Sequence, residues 1–196
     1  MVKYSAADLL AEELSLRTSQ DFFSKMIYKM AKTSSVKLTI EIPLTLYLRA
    51  EIFCEDVQDI GEVLFNQADL IAVLYDDFLL YAKKNPDPNH LYKILNTLDQ
   101  QVGKKTNLEQ QQDQSVFKLV HLSNTDQQMQ AIEITFKRKS ALRGEVMLAD
   151  IGELHPGHPY TLENMIQLLY CDFVEKFRKG DNNDALDAIL TRLEEE

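Results

Sequence analysis

Two stretches of this chain repeat one another, and an internal repeat constrains the architecture of a protein more than most sequence features. Residues 70–98 align without a gap with residues 165–193, at an offset of 95. The coinciding positions are mostly apolar or aromatic: Ile71, Leu74, Tyr75 and Phe78 in the first stretch, and Ile166, Leu169, Tyr170 and Phe173 in the second. Shorter matches precede both stretches in the same order. We therefore predict a tandem duplication of a unit of about half the chain.

Each copy begins with apolar residues at alternate positions. From Val36 to Cys54 every even-numbered residue is apolar, a pattern that predicts extended chain with one buried face. Pro43 lacks the N–H that a strand needs for pairing, so a bend or hairpin is expected there. In the second copy, residues 129–137 and 142–149 flank the polar segment 138–141, which predicts a hairpin.

Helical patterns follow in both copies. Asn66 is placed to cap a helix over residues 67–84, and Thr161 is placed to cap one over residues 162–179 that ends at Gly180. The wide apolar faces of these two helices predict that they cover a sheet. Shorter helices are predicted at three places: residues 89–101, residues 183–195, and residues 6–16 with Ser5 as the cap.

These elements define the predicted fold and its divisions. With additional strands at residues 22–30 and 117–122, each copy becomes β-β-β-α-α. We therefore expect an α+β protein whose antiparallel sheet or sheets pack against two long amphipathic helices about a pseudo-twofold axis. The predicted units are residues 1–103 and 115–196, joined by a glutamine-rich linker at residues 104–114.

Charge and cysteine content limit the classes of partner and compartment. The 196 residues carry a formal net charge of −10, which repels nucleic acid and anionic membranes alike. The sequence has neither a long apolar run nor an apolar block near Met1, so we expect no membrane association and no signal peptide. Two cysteines, Cys54 and Cys171, are typical of a protein from a reducing cytoplasm.

The string His155-Pro156-Gly157-His158-Pro159 is the candidate that most resembles a site. Two imidazoles three residues apart could ligate a metal, which gives the alternative hypothesis of a metal-assisted or small-molecule enzyme that uses His155, His158 and nearby acids. No third ligand follows at a suitable spacing, so we favour a loop with two exposed histidines. We expect no catalytic residue, metal or cofactor.

Other recurring residues favour structural roles. Asp59-Ile60-Gly61-Glu62 and Asp150-Ile151-Gly152-Glu153 are predicted to form strand-to-helix turns, with each glycine at a positive φ. Tyr75 and Tyr170 are predicted to be core tyrosines whose hydroxyls have hydrogen-bond partners. Cys171 lies beside Asp172, which disfavours a thiolate nucleophile.

The segment Val36–Pro43, VKLTIEIP, together with Leu46, Ala50 and a later helix, resembles the strand and first helix of ribbon–helix–helix DNA-binding proteins. The resemblance covers about 45 residues, and it implies that Lys37, Thr39 and Glu41 face DNA bases from a paired strand. DNA binding through these residues, or through the basic cluster Lys137-Arg138-Lys139 with Arg143, is the lesser alternative. The alternation through Cys54 predicts a strand where that family has a helix.

The leading hypothesis is a non-catalytic cytoplasmic protein that acts by protein–protein binding, as a regulator, adaptor, inhibitor or chaperone. This hypothesis rests on two features of the sequence: its patterns predict a defined fold, and it contains no recognisable set of catalytic residues. The acidic first half would suit a partner with a basic surface, while nucleic acid is disfavoured. Homo-oligomerisation stays open.

Overall fold

One two-stranded sheet and seven helices make up the part of the chain that the computed structural model describes, residues 2–18, 33–103, 128–181 and 184–194. In chain order the elements are α1 (Leu9–Thr18), β1 (Ser35–Pro43), α2 (Leu44–Gly61), α3 (Gln67–Lys84), α4 (Pro88–Gly103), β2 (Met129–Lys137), α5 (Arg138–Leu154), α6 (Leu162–Lys179) and α7 (Ala185–Glu194). The fold is α+β, and each strand is followed by three helices.

The sheet is an antiparallel ribbon in which β1 pairs with β2. Ser35 lies opposite Lys137, and Pro43 lies opposite Met129. Because side chains alternate along a strand, one face of the ribbon turns inward, and its buried residues are Leu38, Ile40, Ile42, Ile134 and Phe136. Segments from both sides of the predicted linker therefore contribute to a single sheet.

The predicted strand over residues 36–54 is wrong beyond Pro43, where α2 begins. The buried residues of α2 have helical spacing: Leu46, Ala50, Phe53, Cys54 and Val57. Leu48 and Ile52, which completed the alternating pattern, are 49% and 59% exposed. The period of two was thus produced partly by apolar residues that point to solvent.

The predicted hairpin of residues 129–137 and 142–149 is also wrong in its second half. Only residues 129–137 form a strand, and residues 138–149 belong to α5. The predicted strands at residues 22–30 and 117–122, like the linker at residues 104–114, lie outside the described residues. Among the described residues, the order from each strand onward is β-α-α-α, so the second strand of each predicted hairpin is replaced by a helix.

Backbone hydrogen bonds between residues next to the ends of β1 and β2 explain how two helices start without side-chain caps. Neither Pro43 nor Lys137 caps the helix that follows it with a side chain. Instead, the Leu44 N–H donates to the Gln128 carbonyl, and the Arg138 N–H donates to the Ser34 carbonyl, both at 2.9 Å. Pairing of the ribbon thus satisfies an otherwise free donor at each helix start.

The two long helices are confirmed at the predicted bounds. Asn66 and Asp69 form a capping box at the start of α3. Thr161 accepts a hydrogen bond from the Asn164 N–H at the start of α6, and Gly180 ends α6 in the left-handed conformation, with φ 76°. Local cap chemistry therefore fixed both ends of α6.

The shorter helices occur where they were predicted, with shifted ends. Helix α4 covers Pro88–Gly103 and α7 covers Ala185–Glu194. Helix α1 begins at Leu9, later than the predicted residue 6. Ser5 accepts hydrogen bonds from the N–H groups of Ala7 and Asp8, at 3.1 and 3.2 Å, in a turn that precedes the helix.

A single cluster of buried side chains joins both halves. Tyr75 on α3 and Tyr170 on α6 are each 0% exposed, and Phe53 on α2 stacks edge-on against Phe173 and Phe177 of α6. Elsewhere on these helices, Leu74 and Leu169 are only half-buried and line a surface groove. Both were predicted to belong to the core faces of α3 and α6.

Candidate functional site: the outward face of the ribbon

The outward face of the ribbon carries polar side chains on both strands. Along β1 these are Lys37, Thr39 and Glu41, and along β2 they are Glu133, Thr135 and Lys137, all exposed. Each of them alternates with an inward apolar residue of the same strand. The three residues that the ribbon–helix–helix resemblance implicates therefore share one solvent-facing surface of a paired strand.

Charges on this face are balanced and partly paired. Thr39 lies opposite Glu133, and Lys37 lies opposite Thr135. The Lys37 ammonium reaches diagonally to the Glu133 carboxylate, with Nζ and Oε1 2.7 Å apart. Both side chains are well over half exposed, so water screens this pair and its contribution to stability is small. The ion pair orients two side chains over the middle of the face.

The predicted basic cluster is divided by the start of α5. Lys137, Lys139 and Arg143 are exposed, and the last two lie four residues apart on one side of α5. Arg138 is 8% exposed, and its guanidinium binds the carboxylates of Glu12 and Glu13 on α1. Three of the four basic residues are therefore available to an anion, and the fourth holds α1.

Protein groups contact Nε2 of His155 and both ring nitrogens of His158, the two candidate metal ligands. His155 Nε2 lies 3.0 Å from Asn89 Oδ1, and the ring stacks on Tyr92 with centroids 3.9 Å apart. His158 Nδ1 accepts the Tyr160 N–H at 3.2 Å. This bond makes Nε2 the donor to the Leu148 carbonyl, 3.0 Å away. Both histidines thus tie their loop to neighbouring helices.

A metal site would need more ligands than these two rings. In residues 2–18, 33–103, 128–181 and 184–194, no group of three or more His, Cys, Asp or Glu side chains is arranged to hold a metal ion. His155 and His158 instead share hydrogen bonds and ring stacking with Asn89, Tyr92 and Tyr160.

The acidic four-residue strings do not form strand-to-helix turns. Asp59–Gly61 ends α2, while all of Asp150–Glu153 lies within α5. Gly61 and Gly152 are therefore helical residues, and the left-handed conformation in the first string belongs to Glu62, with φ 51°. The two strings occupy different positions in their helices, and the glycine prediction is wrong.

The recurring tyrosines are buried and hydrogen-bonded in the described structure. The Tyr75 hydroxyl donates to the Ser140 carbonyl at 2.9 Å, and the Tyr170 hydroxyl donates to Gln67 Oε1. The aspartates that accompany them form ion pairs, Asp77 with Arg192 and Asp172 with Lys176. The tyrosines therefore join α3 to α5 and α6 to α3.

Neither cysteine takes part in a disulfide, and both are buried. Burial, reinforced by the charges of Asp69 and Glu51, raises the pKa of the Cys54 thiol to about 12. Burial likewise raises the pKa of Tyr160 to about 12, and it raises the pKa values of Tyr75 and Tyr170. These acids stay protonated in the folded protein.

We expect the free energy of unfolding to fall as the pH rises above about 9. In the unfolded chain the thiol and phenols ionise at their ordinary pKa values, while the folded protein keeps the protons, so stability present below pH 9 is lost towards pH 12. Urea unfolding at about pH 7 and 10.5 measures the loss. Cys54→Ala should reduce it, and an unchanged midpoint would contradict the assigned cause.

Sequence analysis missed Glu145, the most buried carboxylate among the described residues. It is 0% exposed and accepts hydrogen bonds from the Leu9 and Leu10 N–H groups, at 3.1 and 2.6 Å, and from the Ser5 hydroxyl. Glu145 therefore caps α1 from a different helix. One sequence feature could have indicated that Glu145 is buried: it lies between Ala141 and Leu148 on the apolar stripe of α5.

No family model, curated protein or solved structure matches this chain significantly. Among the described helices, none combines the length and the apolar character that crossing a membrane requires. The candidate site is therefore defined by the geometry of the ribbon alone.

Proposed function

We propose that this protein is a non-catalytic DNA-binding regulator that places the outward face of its ribbon in the major groove of a duplex. The observation that carries the proposal is the start of α2 at Leu44, immediately after the paired strand β1. A strand followed at once by a helix is what the ribbon–helix–helix resemblance implies. The major groove is wide enough for a two-stranded ribbon, and such ribbons are known to read base edges there.

Side chains on and beside the ribbon suit the two kinds of contact that DNA recognition needs. The hydroxyls of Thr39 and Thr135 can bond to base edges, and their methyl groups can contact thymine. Arg49 on α2 and Arg143 on α5 are the sixth residues of the helices that follow the two strands, and both are exposed. They are suited to phosphate contacts that set the position of the ribbon.

Because of the acidic charges, we expect the non-specific component of DNA binding to be weak. Glu41 and Glu133 lie on the same face as Lys37 and Lys137, so the face contributes no net charge, and the chain as a whole carries −10. Affinity for DNA would therefore depend on base contacts more than on counterion release. The protein should discriminate sharply between duplexes at low salt.

Selection from random duplexes tests the proposal. We expect a pool of about 30 base pairs, bound at low salt, to converge on one short sequence, since one ribbon covers only a few base pairs. Replacing Lys37 and Lys137 by alanine should weaken binding to the selected duplex about tenfold and flatten its salt dependence. The matched control replaces Lys83 and Lys84, which are exposed at the end of α3.

Three results would contradict the DNA proposal: no enrichment, equal loss in both double variants, or enrichment that persists without Thr39 and Thr135. Circular dichroism should show the same fold for every variant, because all the substituted side chains are exposed. Loss of binding in the ribbon variant alone, with its fold intact, would support the assignment.

Protein binding is the second candidate, and an exposed apolar row on α2 favours it. Leu48, Ile52 and Ile60 are 49%, 59% and 59% exposed at helical spacing, and Leu64 just beyond is 94% exposed. Acidic side chains on the same helix would suit a basic partner. Capture of a protein that is lost with Ile52→Lys and kept with the ribbon variants would replace the DNA proposal with this one.

We also propose that the two β-α-α-α units descend from one duplicated unit. Helices α2 and α5 begin 94 residues apart, at Leu44 and Arg138, and α3 and α6 begin 95 residues apart, at Gln67 and Leu162. The reciprocal hydrogen bonds that start α2 and α5 have the same spacing. Corresponding residues of the halves can therefore be compared directly.

A further inference from the structure

A groove of about 440 Å³ in the first half corresponds in position to the place where α1 docks in the second half. Glu51 is the eighth residue of α2, as Glu145 is the eighth residue of α5. Gln67 and Ala68 begin α3 as Leu162 and Glu163 begin α6. Glu51, Gln67 and Ala68 all line the groove.

In the second half, all three corresponding residues bind the chain's N-terminal segment. Glu145 accepts the hydrogen bonds that start α1. The Leu162 N–H donates to the Tyr4 carbonyl at 2.6 Å, and Glu163 accepts the Ala6 N–H at 2.7 Å. Among the described residues, the same scaffold thus holds the beginning of a helix at one of its two equivalent places and leaves a groove at the other.

Three acidic side chains contribute to the lining of the groove. Glu51, Glu55 and Glu133 line it, and Glu133 is paired with Lys37. Within the described part of the chain, the carboxylates of Glu51 and Glu55 form neither an ion pair nor a hydrogen bond. Both are exposed, so a ligand can reach them. A cationic occupant would complement this lining.

Three differences from the α1 site restrict what can enter. Ala68 stands where Glu163 accepts the Ala6 N–H, so the groove lacks that second carboxylate acceptor. Leu44 stands where Arg138 binds the acidic residues of α1, so acidic side chains in the occupant would have no partner. Gln58 stands where Gly152 leaves room for the Tyr4 hydroxyl. An aromatic residue before the helix would therefore be excluded.

We propose that this groove binds the first helical turn of a partner protein, a turn that begins with serine or threonine and carries lysine or arginine. Glu51 accepts its free backbone N–H groups, as Glu145 does for α1, and Glu55 faces its cationic side chain. A carboxylate at a helix start is favoured by both the unpaired N–H groups and the helix dipole. The groove shares Glu133 with the ribbon's outward face, so the substitution that isolates this binding is at Glu51, which lies on α2 outside that face.

A peptide derived from α1 tests the proposal. The probe is acetylated residues 5–18 with Glu12 and Glu13 replaced by lysine, and its binding to the full chain is measured by fluorescence anisotropy. We expect Glu51→Gln to weaken binding about tenfold. The glutamine side chain has one oxygen that accepts hydrogen bonds, whereas the glutamate carboxylate has two. Glu62→Gln is the matched control, since Glu62 is an exposed acid beyond the end of α2.

A second peptide isolates the backbone contact. Replacing Leu9 of the probe by proline removes one N–H at the first helical position, which proline otherwise tolerates, and should weaken binding by a similar factor. Undetectable binding of the first probe, or equal affinity for the Glu51→Gln protein, would overturn the proposal. So would a proline probe that binds as well as the original.

Discussion

Replacing Gly144 by alanine is expected to destabilise the protein by about 2 kcal/mol, although alanine in a helix is usually more stable than glycine by nearly 1 kcal/mol. A Cβ at this position would overlap the Tyr75 hydroxyl and lie 2.6 Å from Leu162 Cδ1. The buried hydroxyl would have to move away from the Ser140 carbonyl that accepts its hydrogen bond. Urea unfolding and thermal melting measure the change.

A double-mutant cycle separates this contact from other effects of alanine. In a Tyr75→Phe background the oxygen that meets the new methyl group is gone, so Gly144→Ala should cost at least about 1 kcal/mol less than in the parent. The residual cost reports the Leu162 contact. A variant Gly144→Ala that melts above the parent would refute the packing described around Tyr75.

Replacing Glu145 by alanine is expected to release α1 from α5. The substitution leaves three donors without their acceptor: the N–H groups of Leu9 and Leu10, and the Ser5 hydroxyl. Unpaired buried groups of this kind cost about 1–3 kcal/mol each, so undocking of α1 is favoured over a strained docked state. Hydrogen exchange of the α1 amides should accelerate at least about a hundredfold.

The other half of the chain supplies a control for this prediction. Glu51 occupies the corresponding place in α2 but is exposed, so Glu51→Ala should leave amide exchange in α1 unchanged. Trypsin cleavage after Arg17, the last basic residue of α1, offers a second measurement and should become faster only in Glu145→Ala. Unchanged protection of α1 in both variants would show that other contacts hold it.

Elements whose ends are marked by local chemistry could be predicted from the sequence. Asn66, Asp69 and Thr161 lie at helix starts where their side chains meet free N–H groups within three residues along the chain. Gly180 ends α6 by adopting a backbone conformation that most residues avoid. These signals need no tertiary information, and the bounds of α3 and α6 agree with the prediction.

The strand-to-helix boundary at Pro43 could not be found from hydrophobic alternation alone. Helix α2 buries residues at helical spacing but also exposes Leu48 and Ile52. These two exposed residues fill the even-numbered positions between the buried ones, so the alternation of β1 continues in the sequence after the strand has ended. The N–H that starts α2 bonds to the Gln128 carbonyl, far away in sequence. A helix start that depends on a distant partner leaves no local cap to recognise.

The part of the candidate site that lies on β1 could be predicted, because it depends on a local pattern. Alternation within β1 correctly placed Lys37, Thr39 and Glu41 on one face. The role of Glu145 could not be predicted, because its partners belong to α1, more than a hundred residues earlier. Likewise, the separation of Arg138 from the basic cluster depends on its contact with Glu12.

The ribbon's two strands come from one chain, and their outward residues differ. Under the spacing of 94 residues that relates the two helix starts, Lys37 corresponds to Ala131 and Thr39 corresponds to Glu133. A pair of identical subunits would present the same chemistry twice, and its target would have to be palindromic. Because the two strands of this ribbon present unlike residues, the proposed DNA complex would be asymmetric, and the protein would distinguish the two directions of its target.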